Sequence, residues 1–422
     1  MTLDPRAAEL CERIRRAGSG AFAGRTPAEI RRSGLELAGT WSLDDTGLGV
    51  VAHLSRADGA TAAEVADALG LDVSEVGAVL EGLRRSGFVR GRGAVGAEHW
   101  TALIAGRRRS RGDAGGVLAG LLVDGPATSD SASALPPPGA RGDVVVAAGV
   151  SVRIYRPADG VSRGVSGGVP GDPSPPGVVV FVHGGAWVSG TLDAYDNICE
   201  SLVELAGCVV VSVDYRLAPE HPFPAAVDDT LVALRWAVDH AAELDGDPAR
   251  LAVMGDSAGA NLATVAATLA ARAGWCTPVL QVLLYPVLDV TMASPSVTEH
   301  ADAPLFSRAD MAWMYEQYGG PADDWRASPL VATDLTGAPP ALVVVAGVDP
   351  ARDDGVRYAE RLAAAGVPAV VETYATMMHG FYAFAPTLPE ATAARDLVAE
   401  ALRSAFGAPW DAPIGTTPGS VS

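Results

Sequence analysis

The sequence predicts an α/β fold, a mostly parallel sheet with helices on both faces. Three observations predict it. From about residue 143 onward, short apolar runs alternate with helical patterns, as in strands joined by crossover helices. Runs such as Val178–Val182 are apolar at every position, as in strands buried on both faces. One run passes through Gly255-Asp256-Ser257-Ala258-Gly259 into a helical pattern, which makes a strand–turn–helix junction. With 422 residues and 49% hydrophobics, the chain has enough for a sizeable core and two or three domains.

Taken in order, residues 144–146 and 150–155 read as opening strands. The strand Val178–Val182 leads to a helix over 194–206 and a strand over 208–214. A helix over 224–243 leads to a strand over 251–254. A helix over 258–272 leads to a strand over 279–285. A strand over 341–346, a helix over 353–365, a strand over 368–374 and a helix over 389–405 close the pattern. Residues 126–142, rich in Pro, Ser and Ala without periodicity, read as a linker ahead of a catalytic domain over 143–408. A Gly/Pro/Ser-rich stretch over 157–177 reads as a surface loop, and 409–422 as a disordered tail. Ligand chemistry in such sheets sits at the carboxyl ends of the strands.

Composition narrows the chemistry. All 31 cationic residues are arginine, and lysine is absent. That excludes P-loop, kinase, pyridoxal Schiff-base and Ser-x-x-Lys mechanisms. Residues 1–125 carry 16 acids and 16 bases, while 126–422 carry 34 acids and 15 bases and hold the whole net charge of −19. The larger part should repel polyanions. Cys11, Cys199, Cys208 and Cys276 lack CxxC spacing and read as buried cytosolic thiols. No apolar run reaches the length of a membrane span. The start, Met1-Thr2-Leu3-Asp4-Pro5-Arg6, lacks the form of a secretory signal, so a cytoplasmic location is expected.

The junction at Ser257 is a G-x-S-x-G turn between strand and helix, which lifts the serine hydroxyl off the sheet. A serine needs a base, and the base an orienting acid, in the chain order Ser, acid, His. Two histidines follow Ser257. His300 lies in a polar stretch and reads as a surface residue; His379, just after the last strand, is the expected base. Asp349, just after the strand over 341–346, is the expected acid. Asp353 and Asp354 fall in the first turn of the next helix, where carboxylates suit the helix dipole. Oxyanion donors are expected from Ala258 and from the loop His183-Gly184-Gly185-Ala186-Trp187, with Gly184, Gly185 and Ala186 as candidates. His183 reads as a brace for that loop. Trp187 and Tyr195 either line the pocket or pack.

Five motifs fall in order: His183-Gly-Gly-Ala-Trp, Asp214-Tyr-Arg-Leu-Ala-Pro-Glu-His-Pro-Phe-Pro-Ala-Ala-Val-Asp-Asp, Gly255-Asp-Ser-Ala-Gly-Ala-Asn, Asp349-Pro-x-Arg-Asp-Asp-Gly and His379-Gly-Phe. Together they resemble the bacterial hormone-sensitive-lipase-like branch of the α/β-hydrolases over about residues 143–408. The resemblance implies the α/β-hydrolase fold and a carboxylic-ester hydrolase with a Ser257–His379–Asp349 triad, needing no metal or cofactor. In that family the oxyanion loop usually reads His-Gly-Gly-Gly, and its second and third glycines donate. Those positions are Gly185 and Ala186 here, and alanine calls for an ordinary backbone conformation. The Asp214 run supplies no evident chemistry; its arginine and acids read as ties between loop and core.

The same family has an N-terminal helical cap, which residues 1–40 resemble: a helix over 6–17, then Thr26, Pro27 and Glu29 opening a helix over 27–38. Residues 41–125 depart from it. Within them, 61–90 resemble a winged helix-turn-helix, with Val65, Leu69, Val76, Val79, Leu80 and Leu83 at core spacing. The second helix begins Ser74-Glu75-Val76-Gly77-Ala78, which suits neither phosphates nor bases. The basic residues Arg84, Arg85, Arg90, Arg92 and Arg107-Arg108-Arg109 come later. Nucleic acid is therefore not the expected partner; a lid or a homodimer interface is. The expected substrate is a small-molecule ester or acyl compound. Acyl transfer, lactone hydrolysis or ring closure at the same site is the first alternative, and a ligand-sensing DNA-binding regulator the second.

Overall fold

A computed structural model describes residues 2–16, 60–85, 89–92, 99–102, 135–158 and 175–410. The helix expected over 27–38, the arginine run 107–109, most of the linker, the centre of the 157–177 loop and the tail beyond 410 lie outside the described residues.

The N-terminal helix α1 spans Pro5–Arg16. Strand β1 (Ala60–Thr61) runs into helix α2 (Ala62–Leu69), followed by helix α3 (Val73–Arg85) and strands β2 (Val89–Arg92) and β3 (His99–Ala102). Thr61 caps α2: its hydroxyl accepts the Glu64 N–H, and the Glu64 carboxylate accepts the Thr61 N–H. Val65, Val76 and Leu80 are buried. β2 and β1 flank β3, all antiparallel.

The remaining strands are β4 (Arg141–Val145), β5 (Ser151–Tyr155), β6 (Val178–Val182), β7 (Val209–Asp214), β8 (Leu251–Asp256), β9 (Gln281–Leu284), β10 (Ala341–Val348) and β11 (Ala369–Met378). They form one eight-stranded sheet in the order β11-β10-β9-β8-β6-β7-β5-β4. β6 to β11 pair in parallel, and β4 and β5 extend the sheet antiparallel. Pairing of Arg141 with Tyr155 brings Arg141 and Gly142, read as linker, into β4.

The long helices are α4 (Asp196–Ala206), α5 (Ala225–His240), α6 (Ala258–Ala273), α8 (Arg308–Tyr318), α9 (Arg352–Ala364) and α10 (Pro389–Gly407), with the short α7 (Ser296–Glu299) between α6 and α8. Side chains alternate across each strand, so β6 feeds two cores. Val178, Val180 and Val182 pack with Leu231 and Trp236 of α5 and Leu262 and Val265 of α6. Val179 and Phe181 pack with Ile198 and Leu202 of α4 and Val398 and Leu402 of α10. Helix α1 adds Ala7, Leu10, Cys11 and Ile14 to this second core. It is tied down by the Asp4 N–H on the Thr376 carbonyl at 2.9 Å and by Arg6 on Glu390 at 2.9 Å. The Asp214 run is anchored as expected of its charges: Arg216 pairs with buried Asp229 at 3.0 Å. All four cysteines are free thiols, with Cys276 half-buried and the other three buried. Among the described residues no helix is long and apolar enough to cross a membrane.

Candidate active site

Strand β8 delivers Ser257 to the carboxyl edge of the sheet at φ 53, a left-handed conformation rare for an L residue. Two close approaches make the turn possible. A Cβ at Gly255 would lie 2.4 Å from the Gly259 carbonyl carbon, and one at Gly259 would lie 2.0 Å from the Val182 carbonyl oxygen. Helix α6 starts at once with Ala258, where N–H groups lack intrahelical partners.

Asp349 follows the end of β10 and His379 the end of β11, so neighbouring strands bring both to the same edge. His379 Nδ1–H donates to Asp349 Oδ2 at 2.7 Å, and the Ser257 hydroxyl donates to His379 Nε2 at 2.8 Å. Asp349 is 0% exposed, and its other oxygen accepts the Ala351 N–H at 2.8 Å. Phe306 stacks on the imidazole at 4.1 Å, and Tyr285 tilts against it at 4.9 Å.

The oxyanion loop differs from the expectation in two ways. Ala186 is not in an ordinary conformation: its φ is 56, between Gly185 at 105 and Trp187 at 59. Such values strain an L residue by about 1–2 kcal/mol. Gly184 is corrected as an oxyanion donor, because its N–H already donates to Asp256 Oδ1 at 2.8 Å and to the Tyr195 hydroxyl oxygen at 3.1 Å. Among the described residues no acceptor takes the N–H of Gly185 or Ala186, and both residues line the cleft beside Ser257. The cleft encloses about 390 Å³ including its open mouth.

His183 lies under the loop: its Nδ1–H donates to the Gly184 carbonyl at 2.7 Å, and its own carbonyl accepts the Tyr215 hydroxyl at 2.9 Å. Trp187 stacks on Tyr318 at 4.1 Å and packs, whereas Tyr195 lines the cleft. His300 is not a surface residue: it is 7% exposed, with its ring at 3.1 Å from Arg352 and 3.4 Å from Glu299. Asp353 and Asp354 lie in the first turn of α9, as their spacing from Asp349 predicts.

The sequence reading gives no role to the cleft residues Asp256, Tyr285, Phe306 and Ala383. Asp256 stands inside the motif and could have been singled out as a carboxylate beside the nucleophile. Burial pushes its carboxyl up to about 7, against the Gly184 N–H, His379 and the Tyr195 hydroxyl, which pull it down.

Fold and site define an α/β-hydrolase. A family model for the alpha/beta hydrolase fold matches residues 179–383. Over 239 residues the chain is 45% identical to Carboxylesterase NlhH of Mycobacterium tuberculosis, covering 55% of this chain and 74% of that protein. Over 257 residues it is 40% identical to the Ethyl acetate hydrolase of Pseudomonas putida, covering 60% and 77%. Among solved structures, a hyperthermophilic esterase from the archaeon Pyrobaculum calidifontis is similar with a TM-score of 0.58 and 38% identity, over 64% of this chain and 88% of that one. The chain belongs to the hormone-sensitive-lipase-like family of the α/β-hydrolases, and it is an enzyme of the carboxylesterase and lipase-like class.

Proposed function

We propose that the chain hydrolyses carboxylic esters of small molecules through an acyl-enzyme on Ser257. The observation that carries this reading is the hydrogen-bonded line from Asp349 through His379 to Ser257, at 2.7 and 2.8 Å. Ser257 Oγ attacks the acyl carbonyl while its proton passes to His379 Nε2. Asp349 fixes the imidazole tautomer and stabilises the imidazolium. The tetrahedral oxyanion meets the N–H groups of Gly185, Ala186 and Ala258, each worth roughly 3 kcal/mol in the transition state. His379 returns the proton to the leaving alkoxide, and water then releases the acid by the same steps. None of this calls for a metal or cofactor.

The lining of the cleft supports a small substrate, since aromatic side chains close in on it around Ser257. Phe306, Tyr285 and Tyr195 bound it with rings, which suits a short acyl chain better than a long one. The two helices within residues 60–85 and the antiparallel pairs of β3 with β1 and β2 support a winged-helix-like subdomain, to which we assign the role of lid or homodimer interface.

A series of p-nitrophenyl esters tests the reading. Turnover should be highest with acetate to butyrate and fall by decanoate, with the free acid as product by mass spectrometry. A preference for decanoate, or acyl transfer to an added alcohol in place of free acid, would contradict it.

A further inference from the structure

We infer that Asp256 is a positioning residue that holds the oxyanion loop in register with the nucleophile next to it. The inference rests on the esterase reading above and adds to it a residue outside the hydrogen-bonded line from Asp349 through His379 to Ser257.

The loop needs holding. Gly185, Ala186 and Trp187 all have positive φ, and two of the three are L residues. Strain of this kind persists only where surrounding contacts over-determine the backbone. The contacts come from three directions. From within the loop, Val188 and Ser189 N–H donate to the Gly185 carbonyl at 3.0 and 2.9 Å. From the end of β7, the Tyr215 hydroxyl donates to the His183 carbonyl at 2.9 Å. From the elbow, Asp256 accepts the Gly184 N–H at 2.8 Å and the Tyr195 hydroxyl at 3.2 Å. Of these anchors only Asp256 belongs to the segment that carries Ser257. One side chain therefore couples the nucleophile to the donors of Gly185 and Ala186. Residue 184 is small enough to allow it: a Cβ there would lie 2.6 Å from Asp256 Oδ2.

This coupling matters only when the oxyanion forms, so its loss should lower kcat and spare KM. The groups facing Asp256 are the Gly184 N–H, the hydroxyls of Tyr195 and Tyr285, and the His379 imidazole. The ionised carboxylate is the stronger acceptor for the Gly184 N–H and favours the imidazolium of the transition state. Burial pushes the Asp256 carboxyl up to about 7, so on the acid side Asp256 takes up a proton in addition to the one that disables the general base. The acidic limb of log kcat/KM against pH should then be steeper than one proton in the wild type.

The test uses the full chain and four variants: Asp256→Ala, Asp256→Asn, Tyr195→Phe and Ser257→Ala. Kinetics with p-nitrophenyl acetate are set beside inhibition by an aryl trifluoromethyl ketone. Ser257 Oγ adds to the ketone carbon, the serine proton moves to His379, and the carbonyl oxygen becomes the oxyanion. Asp256→Ala should lower kcat by about 10²-fold, as for a small misplacement of a catalytic group. KM should stay within about threefold and ketone affinity should weaken in parallel with kcat/KM. Tyr195→Phe should do the same more weakly. Asp256→Asn keeps an acceptor for the Gly184 N–H, so it should lose less than about tenfold in kcat while its acidic limb falls to a slope of one. Asp256→Ala within about threefold of wild type, or Asp256→Asn with the steep limb intact, would overturn the inference. Should Asp256→Ala fail to fold, the slope and ketone affinity of Asp256→Asn decide alone. Activity surviving in Ser257→Ala would sink the esterase reading instead, so the two failures are distinct.

Discussion

Ala186 sets several small energies against one another. Holding φ at 56 strains an L residue by about 1–2 kcal/mol, which glycine would relieve. Glycine would lose roughly 0.5–1 kcal/mol in backbone entropy and about 0.8 kcal/mol of methyl burial, because Ala186 is buried. These terms nearly cancel. Ala186→Gly should stay within about 1 kcal/mol of wild type in urea unfolding and keep its activity, whereas Ala186→Val, β-branched at a positive φ, should lose more than about 2 kcal/mol. Equal stability of the valine variant would contradict the backbone assignment. That Ser257, Asp349 and His379 belong to one candidate set is legible in the sequence because each follows a strand end within a short motif. The partner of the Gly184 N–H and the stacking of Phe306 on His379 are not, because their pairing is fixed only when distant segments meet.

Among the elements, α9 carries the clearest pH effect. Asp354 in its first turn is buried, accepts the N–H groups of Leu288 and Asp289 at 3.0 and 3.1 Å, and takes the Ser294 hydroxyl at 2.6 Å. Burial pushes its carboxyl from an ordinary 3.8 up to about 7, with Asp289 adding repulsion. The folded state therefore binds this proton more tightly than the unfolded chain does. The resulting stabilisation is complete below about pH 4 and lost as pH rises through 7. Asp228 and Asp256 shift in the same direction. Urea midpoints of Asp354→Asn should decline less between pH 4.5 and 8 than those of the wild type. Parallel declines would contradict the assignment. The strand–helix alternation is legible because buried parallel strands leave unbroken apolar runs. Helix α8 is not read from the sequence, although Met311, Met314, Tyr315 and Tyr318 fall at helical spacing and Ser307 with Asp310 forms a capping box. β8 runs past its apolar stretch because Gly255 stays in the ladder, β10 continues to Val348 through a register shift at Gly347, and Tyr285 at φ 35 ends β9 early.

Over the whole molecule, the parallel strands β6 to β11 share one carboxyl edge, and Ser257, Asp349 and His379 all leave the sheet there. Sequence alone gives that edge, since every candidate follows a strand, and the absence of lysine had already removed the amine-based rivals. It gives neither the depth of the cleft nor the rings that bound it, because Phe306 and Tyr285 come from the long connection between β9 and β10. We propose that this architecture serves one oxygen, Ser257 Oγ. Steady-state turnover of p-nitrophenyl acetate by Ser257→Ala, folded as judged by circular dichroism, tests it most directly. kcat should fall by roughly 10⁶-fold; turnover close to wild type would show that another group attacks the ester.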